Sequence, residues 1–191
     1  MADPDLLARL ERVEARLAIG QLPIRYALAV DGRDLDGLVA LFDREVECGR
    51  WGRGRAALRA FYDSGPILRG FYRSIHQICG HEIELLDADH ARGRVYCRAE
   101  HEDGGNWVVM AICYVDSYVR QDGHWLFERR VEQHWYSTDC LERPGRPRFQ
   151  NWPGKYDTDR FAPRLPHAFP TWARFWETSA PADLARLTGQ P

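Results

Sequence analysis

Apolar positions recur at helical spacing up to about residue 72 and at every second position beyond it, so the chain changes architecture there. Leu6, Leu7, Leu10, Val13 and Leu17 follow Asp3 and Asp5, either of which can cap a helix start. Gly20 and Pro23 are expected to separate this helix from a second one, which holds Pro23 in its first turn, runs to about Val30 and stops at Gly32. Asp34 is placed to cap a short third helix with Leu35, Leu38, Leu41 and Phe42 turned inward, and GRAALRAFYDS supplies a fourth.

The alternating segments SIHQICGHEIELL, ARGRVYCRAEHE, NWVVMAICYVDSYVRQ and GHWLFERRVEQHWY predict four strands joined by turns at DADHARG, EDGG and QDG. Helices first and a mostly antiparallel sheet afterwards make an α+β fold, with the helices on one face of the sheet. After Tyr136 the chain becomes rich in Pro, Gly and Arg, dotted with aromatics such as Phe149, Trp152 and Trp176. The expected organisation is one domain over residues 1–140 and an extension over 141–191, strapped across a pocket mouth or onto a neighbouring subunit by its aromatic anchors.

Composition narrows the classes. With 45% hydrophobic and 28% charged residues and a formal net charge of -2, the 191-residue chain reads as a globular protein and not as a general nucleic-acid or anionic-membrane binder. The basic run GRWGRGR lacks the glycine order of a dinucleotide fingerprint and the Lys-Ser/Thr pair of a P-loop, so it reads as a solvated turn. Five scattered cysteines without a CxxC pair, behind an N-terminus that is an amphipathic helix and no signal peptide, point to a reducing, cytoplasmic setting. No apolar run approaches the ~20 residues that cross a bilayer.

Asp31 raises the chemical question. In YALAVDGRDLD it ends an apolar helix, where the negative end of the helix dipole opposes its charge, so it needs a partner or a turn to serve; an Asx-turn with Gly32 is the simple alternative. Strand alternation puts Val95, Cys97, Ala99 and His101 on one face, and Ser74, His76 and Ile78 share another. A histidine on an apolar face and an aspartate in search of a partner suit proton transfer near neutral pH. In HQICGH, His76 and His81 stand five apart and alternate to opposite faces, leaving no three-ligand set, so no metal and no cofactor are expected. No GxSxG elbow is present, and no cysteine offers a nucleophile.

IRYALAVDGRDLDGLVALF, SIHQI and YVDSYVRQDGHWLFERR, in that order, resemble the SnoaL-like branch of the nuclear-transport-factor-two-like superfamily, the group of scytalone dehydratase and hexachlorocyclohexane dehydrochlorinase. The resemblance covers roughly residues 5–137 and implies a cone in which N-terminal helices pack on a strongly curved, mostly antiparallel mixed sheet around a pocket. Residue by residue it implies that His76 is the base and Asp31 its orienting partner, and that His101 is the second histidine of the dehydratase. Tyr26 would be a pocket hydroxyl and Arg130 the arginine of the dehydrochlorinase. Alternation disagrees on the last, since Trp125, Phe127, Arg129 and Val131 share a face and would present Arg129. Trp51, Phe71, Tyr72, Trp107 and Tyr114 are candidates for aromatic walls.

The resemblance thus implies a cofactor-independent lyase of dehydratase type acting on a small hydrophobic, hydroxylated, aromatic or polycyclic substrate. The alternatives are a ketosteroid-type isomerase and a non-catalytic ligand-binding or structural subunit like the small subunit of ring-hydroxylating dioxygenases. A homo-oligomer is expected, a trimer before a dimer, because Val108 to Tyr118 is apolar on both parities and its second face needs cover.

Overall fold

The computed structural model describes residues 4–65 and 67–140, so the expected strap over 141–191 lies outside the described residues. Three helices, α1 (Pro4–Asp31), α2 (Leu35–Ala40) and α3 (Arg55–Tyr62), precede four strands, β1 (Arg73–Leu85), β2 (His90–Asp103), β3 (Asn106–Gln121) and β4 (His124–Asp139). The strands form one antiparallel meander in the order β1-β2-β3-β4. A parallel bridge between Phe42 and Phe127 ties the segment after α2 to the last strand. Helices on one face of a curved, unclosed sheet make the α+β cone.

The expected break between a first and a second helix does not occur. α1 runs unbroken through Gly20 and Pro23. Proline in a helix interior costs roughly 3 kcal/mol through its missing N–H and its ring. Here Ile19, Leu22, Tyr26 and Val30, all buried on the concave face of the sheet, hold the helix together across that point. The earlier half behaves differently, because Leu6, Leu7, Leu10, Val13 and Leu17 keep between 47% and 66% of their surface exposed. Their helical spacing is real, but the described residues do not cover the stripe.

α1 ends in a Schellman turn. The N–H of Asp34 reaches the carbonyl of Ala29 at 2.9 Å and that of Arg33 reaches Val30 at 3.2 Å. The left-handed residue of this turn is Arg33, at φ 58°, not the glycine. Gly32 is needed for room instead: a Cβ there would lie 2.9 Å from the carbonyl oxygen of Leu28. A left-handed arginine is uncommon, and its guanidinium bonds compensate, to Val30 O at 2.7 Å and to Ser74 Oγ at 3.0 Å.

Three bulges decide which side chains face the helices. β1 slips between Ile78 and Gly80; β4 slips opposite Ser117/Tyr118 and again opposite Ala111/Ile112, leaving Cys79, Glu128 and Trp135 as the extra residues. Each extra residue reverses the alternation that follows it. The buried concave-face ladder of β3, Met110, Ile112, Tyr114, Asp116 and Tyr118, therefore meets Ser137, His134, Glu132, Arg130 and Phe127 of β4.

Candidate functional site

Asp31 is satisfied at the helix end by the first long strand. Its Oδ2 accepts the backbone N–H of His76 at 2.8 Å, while its Oδ1 accepts the Ser74 hydroxyl at 2.8 Å and lies 2.7 Å from His76 Nδ1. Burial works against the charge of Asp31. The hydrogen bond and charge of His76, with Ser74 and the backbone N–H, outweigh it and hold the carboxyl below its usual range. An ionised Asp31 fixes the proton of the neutral imidazole on Nδ1 and leaves Nε2, which has no partner among the described residues, as the basic nitrogen. Arg33 braces the group through Ser74. The expected partner of Asp31 is thus His76, and the Asx-turn with Gly32 is not what occupies the carboxylate.

His101 comes from β2, across from Ser74. Its ring stands edge-on to His76 with 5.5 Å between centroids, and Phe71 packs against it at 4.6 Å. Only 4% of it is exposed. Burial, reinforced by His76, pushes its imidazole down to about 3, so it is neutral at physiological pH and can take part by hydrogen bonding but not as a cationic acid. Tyr26, on α1, turns its ring edge to His76 at 6.4 Å and accepts the Tyr62 hydroxyl at 3.2 Å. Burial raises the phenol far above its ordinary value, so it stays protonated.

Of the two adjacent arginines, Arg130 faces the cavity. The extra residue Glu128 sits between Phe127 and Arg129, so Phe127 and Arg130 share the inner face and Arg129 pairs with Ser117 on the outer one. Plain alternation misassigns them because nothing in the residue types marks the bulge. Arg130 is not a loose cation. Its Nε and Nη2 donate to the two oxygens of Asp116 at 2.9 Å each, and the rings of Tyr114, Tyr26 and Phe127 lie 4.0, 4.4 and 4.4 Å from its carbon Cζ. Only Nη1, buried and without a hydrogen-bond partner among the described residues, remains for anything else.

Beyond Asp116 a polar chain continues that the sequence did not announce. The Tyr118 hydroxyl donates to Asp116 at 2.9 Å and lies 2.9 Å from His81 Nε2, which must then carry the proton. Burial lowers the pKa of His81, keeping it neutral. His81 shares the inner face with His76, against the alternation argument, because Cys79 is the extra residue between them. Gly80 after it is the signal that could have revealed the slip, since glycine inside a strand often accompanies a bulge. Even so, the described residues hold no group of three or more side chains placed to bind a metal.

The five expected aromatic walls separate. Tyr114 is buried over Arg130, and Phe71 covers His101. Trp51 stacks on Phe61 at 6.3 Å, and Phe61 in turn contacts Tyr62, so Trp51 stands two rings back from Tyr26. Tyr72 is 79% exposed and lies on the rim. Trp107 is on the convex face, where its Nε1 donates to Glu100 at 2.9 Å, which removes it from the cavity wall. Arg33, Leu68, Arg69, Phe71 and Tyr72 line a cleft of about 620 Å³, whose walls include neither Asp31 nor His76.

Two further polar residues line the inner face of β4. Glu132 stands opposite Tyr114 and His134 opposite Ile112, with Glu132 Oε1 3.0 Å from His134 Nε2.

Comparison with solved structures agrees with the fold. A proposed scytalone dehydratase from Novosphingobium aromaticivorans superposes with a TM-score of 0.59 at 22% identity, covering 77% of this chain and 98% of the other. LinA gives 0.62 at 24% identity over 71% and 95%, and the hexachlorocyclohexane dehydrochlorinase LinA-type3 from Novosphingobium barchaimii gives 0.62 at 22% over 71% and 96%. Identities of this order show the fold. No curated protein sequence matches. The model of the SnoaL-like domain matches residues 11–131, from the middle of α1 into the inverted part of β4, and the chain belongs to that family.

Proposed function

We propose that the protein is a cofactor-independent lyase of dehydratase type, acting on a small hydrophobic, hydroxylated substrate. Family and fold fit a lyase-type or ligand-binding role in general. The observation that favours catalysis is the Asp31–His76 pair, with a 2.7 Å contact at Nδ1 and an unspent Nε2. His76 would remove a proton made acidic by a neighbouring carbonyl, and Asp31 would stabilise the imidazolium that forms. Neutral His101 and the Tyr26 hydroxyl would donate hydrogen bonds to the carbonyl or leaving group. Arg130 contributes less than a free arginine, since Asp116 already balances its charge and only Nη1 can meet developing negative charge.

The test is a screen of hydroxy-ketones and polycyclic alcohols by mass spectrometry, comparing the wild type with His76→Gln. Loss of water that depends on His76 supports the lyase. A product of unchanged mass would identify an isomerase, and binding without turnover in both proteins would leave a ligand-binding module.

A homo-oligomer, with a trimer favoured, belongs to the same proposal, though the motive shifts. Val109 and Cys113, on the convex face, are 5% and 2% exposed in the single chain, so the apolar surface in need of cover is the stripe Leu6, Leu10, Val13 and Leu17 of α1. Light scattering giving only a 22 kDa monomer at micromolar concentration would refute it.

A further inference from the structure

Glu132 and His134 form an acid–histidine pair that the proposed elimination does not use. They face inward only because the bulge at Glu128 reverses the strand and the one at Trp135 restores it. The pair is asymmetric in exposure. The His134 side chain is 2% exposed, while 35% of the Glu132 side chain is open on the inner wall. The histidine is therefore the anchored end, and the carboxylate is the end presented to the cavity. Burial pushes the Glu132 carboxyl up, but His134, whose Nε2 lies 3.0 Å from it, holds it down to about 2. Glu132 stands opposite Tyr114, whose ring lies 6.0 Å from that of Tyr26, and Tyr26 lies 6.4 Å from His76, so Glu132 shares the inner face with the dyad.

The neighbouring arginine does not cancel it. Arg130, one step along β4, is matched by both oxygens of Asp116. Asp31 is ionised and His101 neutral. A ligand thus meets two anionic carboxylates, Asp31 beside His76 and Glu132 farther along the wall. Their levels are set by Met110, in register with Ala99 beside His76, and by Tyr114, in register with Glu132. Those positions are four residues apart on β3, about 13 Å along the strand. That span suits a fused bicyclic or tricyclic ligand.

We propose that Glu132, anchored by His134, is a subsite that accepts a hydrogen-bond donor at the far end of the ligand, so that the cavity selects hydroxylated or cationic aromatic molecules and rejects carboxylates. The proposal rests on the concave face being the ligand cavity, as in the proposed function, and not on the elimination chemistry. A phenol or ammonium donates to the open oxygen of Glu132; a carboxylate there faces a like charge in a partly desolvated wall.

The experiment measures binding of 2-naphthol, 1-naphthylmethylamine and 2-naphthoate at neutral pH by calorimetry or NMR. In the wild type naphthol and the amine should bind at least about tenfold more tightly than naphthoate, the worth of one charge-assisted hydrogen bond. Glu132→Gln should bring the three affinities to within about threefold by removing the charge while keeping the shape. Naphthoate binding as tightly as naphthol in the wild type, binding of none of the three, or an unchanged order in folded Glu132→Gln overturns the proposal. If that variant does not fold, the wild-type order decides alone. His76→Gln should keep the order, so failure of the elimination and failure of the subsite are read separately.

Discussion

Asp31 and Asp116 are two carboxylates of one cone, each bound to a nitrogen base, and they differ in what is left over. Asp31 is held by a helix end and a strand, keeps 22% of its side chain open, and passes its hold to a histidine whose second nitrogen is unspent. Asp116 is fully enclosed, receives both Nε and Nη2 of Arg130 and the Tyr118 hydroxyl, and is ringed by aromatics. Equal chemistry thus serves two ends. A pair with unspent valence facing open space can react, whereas a pair whose charges are mutually matched chiefly holds geometry and here leaves only Nη1 of Arg130 over.

The largest expected effect breaks the Asp31–His76 pair. His76→Gln should lower the rate of the elimination found in the screen by about 10³–10⁴-fold, the upper range for loss of a general base, with the unfolding midpoint in urea little changed. Asp31→Asn should lose roughly 10²-fold by the same assay. The Asp116–Arg130 pair should answer in the opposite way. Asp116→Ala leaves the guanidinium of Arg130 buried without its anion and should cost about 3–5 kcal/mol in denaturant unfolding. A variant that kept its stability there would erase the contrast.

Acid sharpens the comparison with a smaller effect. His101 has its pKa depressed to about 3 in the folded protein, while the unfolded chain protonates near the ordinary ~6.5. Between these values the unfolded state binds more protons, so stability is full above pH ~6.5 and falls as pH drops, by on the order of 2–3 kcal/mol by pH ~4.5. Asp31 and Glu132, whose carboxyls are depressed, add their own loss only below about pH 4. His101→Gln should flatten the limb between pH 6.5 and 4.5 when unfolding is followed by fluorescence. The smallest effect concerns the helix end that presents Asp31. Gly32→Ala forces its Cβ against the Leu28 carbonyl and should cost about 1 kcal/mol, read as a shift in melting temperature.

Periodicity carried the fold further than it carried the site. The change from helical to alternate spacing located every strand, because burial on one face leaves that imprint on residue type. Asp31, His76 and His101 could be read because each precedes, or lies outside, any slip of register that would mislead. The join of the first two helices was hidden because packing around Pro23, not propensity, holds α1 together. Arg130, Glu132, His134 and His81 lie beyond a bulge, and on β4 no glycine marks the place. There the parity of the sequence and the parity of the sheet differ.

The two bulges of β4 also make residues 129–134 a cassette read in a shifted frame. Before Glu128 and after Trp135 the odd-numbered side chains point inward, as Phe127 and Ser137 do; between them the even-numbered ones do. Straightening both bulges, with Glu128 and Trp135 drawn into the regular ladder, would exchange Arg130, Glu132 and His134 for Arg129, Val131 and Gln133 on the cavity wall without altering any of those six residues. A paired deletion of Glu128 and Trp135 would instead keep the charged lining, because the residues that remain already pair with β3 in that register. Relatives with and without these bulges could therefore present unlike pockets from nearly the same string of amino acids.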